Sequence, residues 1–298
     1  MNAQRGFSLA ELMVALTITA GISGLAFHLF QQNGNVFRDQ SAIMEAQQAS
    51  RVAISEVSDE IRMAGQSVPL FSATFDALPS EGAVAFLNGC TASRVNLRSG
   101  RSGIEATVTA AVSLSHGIPT NVIVSDASLF SGAIGNAPTG RFVYIWGPAG
   151  GAWGWARAGV STISAATQII VLTVVEIGGS ATSIQFTAPP TIGLEEAVTI
   201  YRDAPSGSLR RATATNLTDP ASPVWAPANE VAANVPAFTL TYYDRTGAVV
   251  TPDTLAHRAA ISRVDIGVTV QVENPLSNRS RPSYALSTRT IPRNLRIP

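Results

Sequence analysis

From Phe7 to Phe30 the chain runs for 24 residues with two ionisable side chains, Glu11 and His28. As a helix this run is about 36 Å long at ~1.5 Å per residue. That is enough to cross a hydrocarbon core of about 30 Å with some tilt. The preceding segment, MNAQRG, has Arg5 as its one charged side chain. With the starting amine, Arg5 favours an N-terminus on the cytoplasmic side and the rest of the chain outside. A secretory signal peptide is the alternative, because Gly24-Leu25-Ala26 offers small residues for cleavage before Phe27. Two features oppose it. The run exceeds the usual apolar stretch of about 7–15 residues. Glu11 also lies inside it, and an acid near a helix centre costs roughly 2.5–3.5 kcal/mol on insertion, less toward the end.

A partner would offset that cost. If the chain is cut between Gly6 and Phe7, the new amine of Phe7 lies about one helical turn from Glu11. A helix does not readily fold its own amine back onto that side chain. The amine of a neighbouring subunit, shifted along a bundle axis, could reach it. The pair would neutralise both charges in an apolar core and fix the axial register.

The string Gly6-Phe7-Ser8-Leu9-Ala10-Glu11-Leu12-Met13-Val14-Ala15-Leu16 resembles the cleavage and methylation motif of type IV prepilins and type II secretion pseudopilins. The resemblance implies cleavage after Gly6 by a prepilin peptidase, N-methylation of Phe7 and a role for Glu11 in subunit docking. Ala10 departs from the larger aliphatic residue commoner at that position.

Beyond Phe30 the chain turns polar, and small or apolar residues recur at Ile43, Ala46, Ser50, Ala53 or Ile54, Val57, Ile61 and Ala64. Steps of three and four draw one stripe on a helix. Gly65 is a natural stop, and Gln31 to Asn35 is a weak stretch where the helix could bend. Glu60-Ile61-Arg62-Met63-Ala64-Gly65 resembles the end of this helix in PilW-like minor pilins. After Gln66, Val, Thr, Ala, Gly and Pro dominate. In SRVDIGVTVQVEN, Val264, Ile266, Val268, Val270 and Val272 alternate with polar residues, which is a half-buried strand. AFTLTYYDRTGAVV reads as strand, turn and return strand, and PSYALSTRTIP as a closing strand. The Tyr-Tyr-Asp turn, Arg263-Val264 and Ser287 to Leu295 again resemble PilW-like and pseudopilin-J-like chains. In the region between, GAVAFLN, TNVIVSD, GRFVYIWG, TQIIVLTVV and AVTIYR read as short strands.

The expectation is an α+β, type IV pilin-like fold. Residues 1–6 form a leader that is removed. Residues 7–30 are a transmembrane and filament-core helix, and 31–66 its amphipathic continuation. Residues 67–298 form a β-rich head, with a variable insertion over 67–236 and an antiparallel sheet over 237–298. Trp146, Trp153 and Trp155 lie in or beside a Gly-rich stretch, either as a contact patch or as a turn whose rings plug the core.

Other chemistry finds little support. The 20 basic residues, all Arg, balance 20 acidic ones, which gives no electrostatic reason to expect nucleic acid. One cysteine, Cys90, makes neither an internal disulfide nor a cysteine-cluster metal site. His28, His116 and His257 are scattered, and adjacent Glu195 and Glu196 would point to opposite faces of a strand. No catalytic or cofactor-binding residue is assigned. The resemblance implies a minor pilin that waits in the bacterial inner membrane, N-terminus inside and head outside. It then joins a surface pilus with other minor and major pilins, through an inner-membrane assembly platform, and primes assembly near the tip. The alternatives are a J-like type II secretion pseudopilin, or a tip adhesin whose 67–236 region binds a surface or glycan.

Overall fold

In the computed structural model, residues 9–66, 68, 80–178 and 181–292 are described. One helix, α1 (Leu9–Arg62), runs 54 residues, about 80 Å, without a break at Gln31–Asn35. Met63 to Gln66 close it with short turns. Gly65, at φ +79°, supplies the left-handed step and donates its N–H to the Arg98 carbonyl.

The strands, in chain order, are β1 (Arg94–Arg98), β2 (Glu105–Thr107), β3 (Ser113–Ser115), β4 (Pro119–Ile123), β5 (Phe142–Ala149), β6 (Ala152–Ser164) and β7 (Ile169–Ile177). They continue with β8 (Ser183–Gln185), β9 (Thr191–Leu194), β10 (Ala197–Asp203), β11 (Ser208–Asn216), β12 (Val224–Trp225) and β13 (Asn229–Ala232). The last are β14 (Ala237–Tyr243), β15 (Val249–Val250), β16 (Arg263–Gln271) and β17 (Ser283–Thr290). Two short helices complete the set, α2 (Ser128–Ile134) and α3 (Leu255–Ala260). The long apolar helix followed by antiparallel strands is an α+β architecture of the pilin-like kind.

The C-terminal sheet has the order β15-β14-β16-β17. Its alternation is the one written in the sequence: Val264, Ile266, Val268 and Val270 are buried, and the intervening residues lie on the other face. That apolar face and strands β1, β10, β11 and β13 enclose the second half of α1. Ala46, Ala53, Val57, Ile61 and Ala64 join one hydrophobic cluster with them. GAVAFLN is not a regular strand. It is a buried strip beside β1, held by Leu87 N–H to the Asn96 carbonyl and Arg98 N–H to the Ala85 carbonyl.

A second cluster is drawn wholly from residues between Ala106 and Leu194. Its strands run β2-β9-β5-β6-β7-β4, every pair antiparallel. The order returns on itself. Val108 bridges Val124, Thr109 N–H donates to the Ile123 carbonyl, and Ser125 N–H to the Thr107 carbonyl. Six strands thus close into a barrel, filled by residues such as Val122, Val143, Ile145, Ile170 and Leu172, with Phe130 of α2 packed into its core.

This barrel leaves and re-enters the rest of the head through neighbouring strands. β1 pairs with β10, Arg98 facing Ala197. At that neck the Glu195 carboxylate is fully buried between two guanidiniums. Arg98 Nε donates to Oε1 and Arg157 Nε to Oε2, each at 2.7 Å. The second donors of both arginines reach the Val84 and Leu217 carbonyls, and Arg157 lies over the Phe142 ring at 4.0 Å. Burial alone pushes the Glu195 carboxyl up, but Arg98 and Arg157 more than offset it and hold the group below its ordinary value. Adjacent Glu196 turns the other way and accepts from Ser102.

Removing the carboxylate strands two buried cations, so Glu195→Ala should lower stability by about 3–5 kcal/mol in urea unfolding of the head. Because the folded value is depressed, the pair's stabilisation is full above the unfolded value and fades as pH falls through the folded one. Wild type should therefore lose stability in acid more steeply than Glu195→Gln. Equal slopes would exclude an ionised Glu195.

Candidate functional site

The first half of α1 is a stem outside the head. Leu9, Leu12, Met13, Leu16, Leu25, Phe27 and Phe30 are 58–78% exposed, and the most apolar window of the helix has none of its residues buried. Large apolar side chains over that length have no place in water, so this half fits a membrane anchor. Its hydroxyls turn inward: Thr17 and Thr19 donate to the Met13 and Ala15 carbonyls, which removes their demand for water. Glu11 lies in the first turn, where the helix dipole favours an anion. Gly6 and Phe7, the residues expected to flank the cut, lie outside the described residues.

Where stem becomes head, the contacts turn polar and specific. The Asp39 carboxylate accepts from the Ser277 backbone N–H at 3.0 and 3.1 Å and from its hydroxyl. That hydroxyl, more than the backbone bond, holds the Asp39 carboxyl below its usual range. The hairpin tip between β16 and β17 is thus fastened to the helix nine residues, about two and a half turns, after the apolar run ends at Phe30. Farther along, Ser58 and Thr290 share a hydrogen bond of 2.8 Å between α1 and β17.

The strongest hold is Glu60. Its side chain is wholly buried on α1. Its Oε1 accepts from Arg101 Nη1 at 2.8 Å and from Arg211 Nη2 and Nε at 2.8 and 2.9 Å, and its Oε2 from Ser99 at 3.0 Å. Glu56, one turn earlier, shares Arg101 at 2.8 Å. The helix is therefore bolted to the turn between β1 and β2 and to β11 by charge-assisted bonds, on top of its apolar stripe. Sequence periodicity located the stripe but placed Glu60 nowhere in particular. The signal was there: Glu60 stands three residues after Val57, seven after Ala53 and four before Ala64, spacings that put it on the buried arc.

The tryptophans part company. Trp155 is buried and packs against Tyr144, ring centroids 6.2 Å apart, where the barrel meets Ala83. Trp146 is half-buried in the same cluster. Trp153, near the β5–β6 turn at Gly150-Gly151, is 60% exposed. Cys90 is buried and donates weakly to the Leu87 and Asn96 carbonyls, and burial pushes its thiol up to about 11. Among the described residues, no group of three or more His, Cys, Asp or Glu side chains could hold a metal ion. His116 meets the Val175 carbonyl and His257 pairs with Asp253.

Residues 1–26 match the family described as the prokaryotic N-terminal methylation motif. No curated protein and no solved structure matches the chain. The motif, with the apolar helix behind it, supports a type IV pilin-like protein, pilin or pseudopilin.

Two measurements check this geometry. Glu60→Ala, which leaves Arg211 and Arg101 without their shared acceptor, should destabilise the head by about 3–5 kcal/mol in denaturant unfolding. A loss no larger than for an exposed acid such as Glu45 would show that the bolt contributes little. Cys90 should resist a thiol-reactive dye at pH 8 in the native protein and react fully in urea; rapid native labelling would contradict its burial.

Proposed function

We propose that the chain is a minor pilin of a type IV pilus, of the PilW-like kind, with a structural rather than a catalytic role. It is cut between Gly6 and Phe7 by a prepilin peptidase, methylated on the Phe7 amine, and held in the inner membrane by the stem until assembly. Glu11 then docks the subunit by receiving the Phe7 amine of a neighbour. The head stays outside, and the subunit joins other minor and major pilins through the inner-membrane platform to prime the filament near its tip.

The observation that carries this reading is the pairing of two things in one helix. The first 26 residues match the methylation motif, and the same helix leaves its apolar half wholly uncovered while its second half is bolted into a folded head. A removable signal would have no reason to be continuous with a head-packing helix. A plain membrane anchor would have no reason to keep Glu11 in its apolar run.

The decisive experiment is the mass of the N-terminus in protein taken from membranes and from sheared surface filaments. A chain beginning at Phe7 with one added methyl is expected; a start at Phe27 would refute the assignment. Gly6→Ala should abolish processing. Glu11→Ala should be inserted and cut but recovered in sheared filaments at a small fraction of the wild-type level, and normal recovery would remove the docking role.

A further inference from the structure

The head comes lowest on the stem at one place. Every residue of α1 from Phe27 to Arg38 is exposed, and the next, Asp39, is where the tip of the β16–β17 hairpin is fastened. β17 then climbs along α1, since Thr290 meets Ser58 about 28 Å farther up the helix. The tip is therefore the part of the head that faces back along the stem. Its loop is closed and stiff. Leu276 N–H donates to the Ser280 carbonyl at 2.9 Å, Arg279 N–H donates to the Leu276 carbonyl at 2.8 Å, and Asn278 Oδ1 accepts from the N–H and the hydroxyl of Ser280. Pro275 and Pro282 flank it.

Charge sorts itself around this tip. Arg38, Arg279 and Arg281 are exposed, and Arg279 and Arg281 make no ion pair among the described residues. The Asp39 carboxylate is turned inward onto Ser277, and Glu273 lines a recess between α1 and β13 with Glu45 and Glu230. The height of the tip follows from the helix. Leu9 to Phe37 is about 42 Å at ~1.5 Å per residue, the thickness of a bilayer with its headgroup layers, about 40–45 Å. Val36 and Phe37 are 52% and 75% exposed, and apolar side chains bare at that level fit the interfacial layer better than open water. Because α1 is unbroken through Gln31–Asn35, this height is fixed. Arg38 and the tip therefore come to lie at the phosphates of the leaflet on the head side. Glu45 stands eight residues, about 12 Å, above Phe37, beyond one Debye length of about 8 Å. The end of the head that looks down the stem is basic.

We propose that the hairpin tip is a contact site for the phosphates of anionic lipids, gripped through Arg279, Arg281 and Arg38 while the subunit is held in the membrane. A guanidinium forks two N–H bonds onto a phosphate, and its long stem lets the charge reach down from a backbone a few Å above. The loop is already ordered, so docking it costs little chain entropy. The site is a second hold on the subunit besides the apolar stem. It sets the height and tilt of the head on the membrane, and it has to let go when the subunit is drawn out. A second copy of this chain is a poorer occupant. Copies standing parallel in one membrane bring their basic tips to the same level, and like charges repel. The proposal rests on the membrane reading of the stem and not on the role in a filament.

The test uses the full chain in nanodiscs of phosphatidylcholine, with one dye placed beside the tip by Asn274→Cys. Asn274 is exposed, and buried Cys90 takes no label in the folded protein. Trace lipid with a spin label high on its acyl chain, either phosphatidylglycerol or phosphatidylcholine, quenches the dye by proximity. Quenching by the anionic lipid is expected to be about threefold stronger, to fade to the neutral level in high salt, and to reach that level without salt in Arg279→Gln/Arg281→Gln. Both arginines are exposed, so this variant should unfold at the wild-type denaturant concentration. Arg51→Gln/Arg62→Gln, which removes as much charge from higher on α1, should keep the preference. Equal quenching by the two lipids, no quenching by either, or a preference that survives in the tip variant would each overturn the proposal. Loss of the preference to inorganic phosphate, at an ionic strength where chloride leaves it intact, would overturn it in favour of a free anion. The anchor is read separately: a chain that does not co-migrate with the nanodiscs would sink the membrane reading of the stem, and the lipid site with it.

Discussion

Two buried carboxylates hold this protein in its shape, and both sit where one part must be fixed to another. Glu60 holds the helix to the head, and Glu195 holds the barrel to the strands that carry it. Apolar packing alone does not distinguish one sliding position of a helix from the next, because Ala, Ser and Val steps repeat along the stripe at Ala46, Ser50, Ala53 and Val57. A buried acid satisfied by Ser99, Arg101 and Arg211 allows one position only, since any slip leaves an ion in a dry interior without its partners. The same holds at the neck, where β1 and β10 would otherwise be joined to the barrel mainly through small clusters such as Leu87, Phe142 and Leu217. These ion pairs specify geometry more than they add net stability.

That geometry matters for a subunit whose stem lies in one environment and whose head lies in another. The stem is apolar to Phe30, turns polar over Gln31–Asn35, and meets its first charged side chains after His28 at Arg38 and Asp39. The Asp39–Ser277 contact fastens the hairpin tip at that boundary, so head and stem meet with little free chain between them. A force or rotation applied to the stem is then carried into the C-terminal sheet through Asp39 and Ser58 and into β11 and the turn after β1 through Glu60, polar contacts spread along about 30 Å of helix.

Much of this was legible in the sequence where period and burial coincide. β16 alternates because one face is core and the other solvent, and the stripe of α1 repeats at three and four because one face packs. The apolar stem declared itself by length. Other parts were hidden for physical reasons. β6 runs 13 residues through AWGWARAGVSTIS, where Gly and outward Trp and Arg residues blur alternation because both faces are covered near the neck. The barrel's closure rests on Val108 meeting Val124, a contact no local pattern encodes. Glu195 and Glu196 turn to different partners, but they lie between β9 and β10 and not within a strand as expected, and nothing local reveals that Arg98 and Arg157, 97 and 38 residues away, converge on one of them.

The charge-poor stretch from 106 to 194, whose charged side chains are Asp126, Arg141, Arg157 and Glu176, was in plain view and says something about how the barrel stays soluble. A protein surface with few ions depends on backbone closure and on Thr, Ser and Asn to hold water, and an open edge on such a surface would invite strand pairing with other copies. Joining the two edges where Val108 bridges Val124 limits that hazard without adding charge. The aromatic rings that would have made the barrel's outside greasier are used instead at the junction, where Trp155 and Tyr144 share the interior with Ala83.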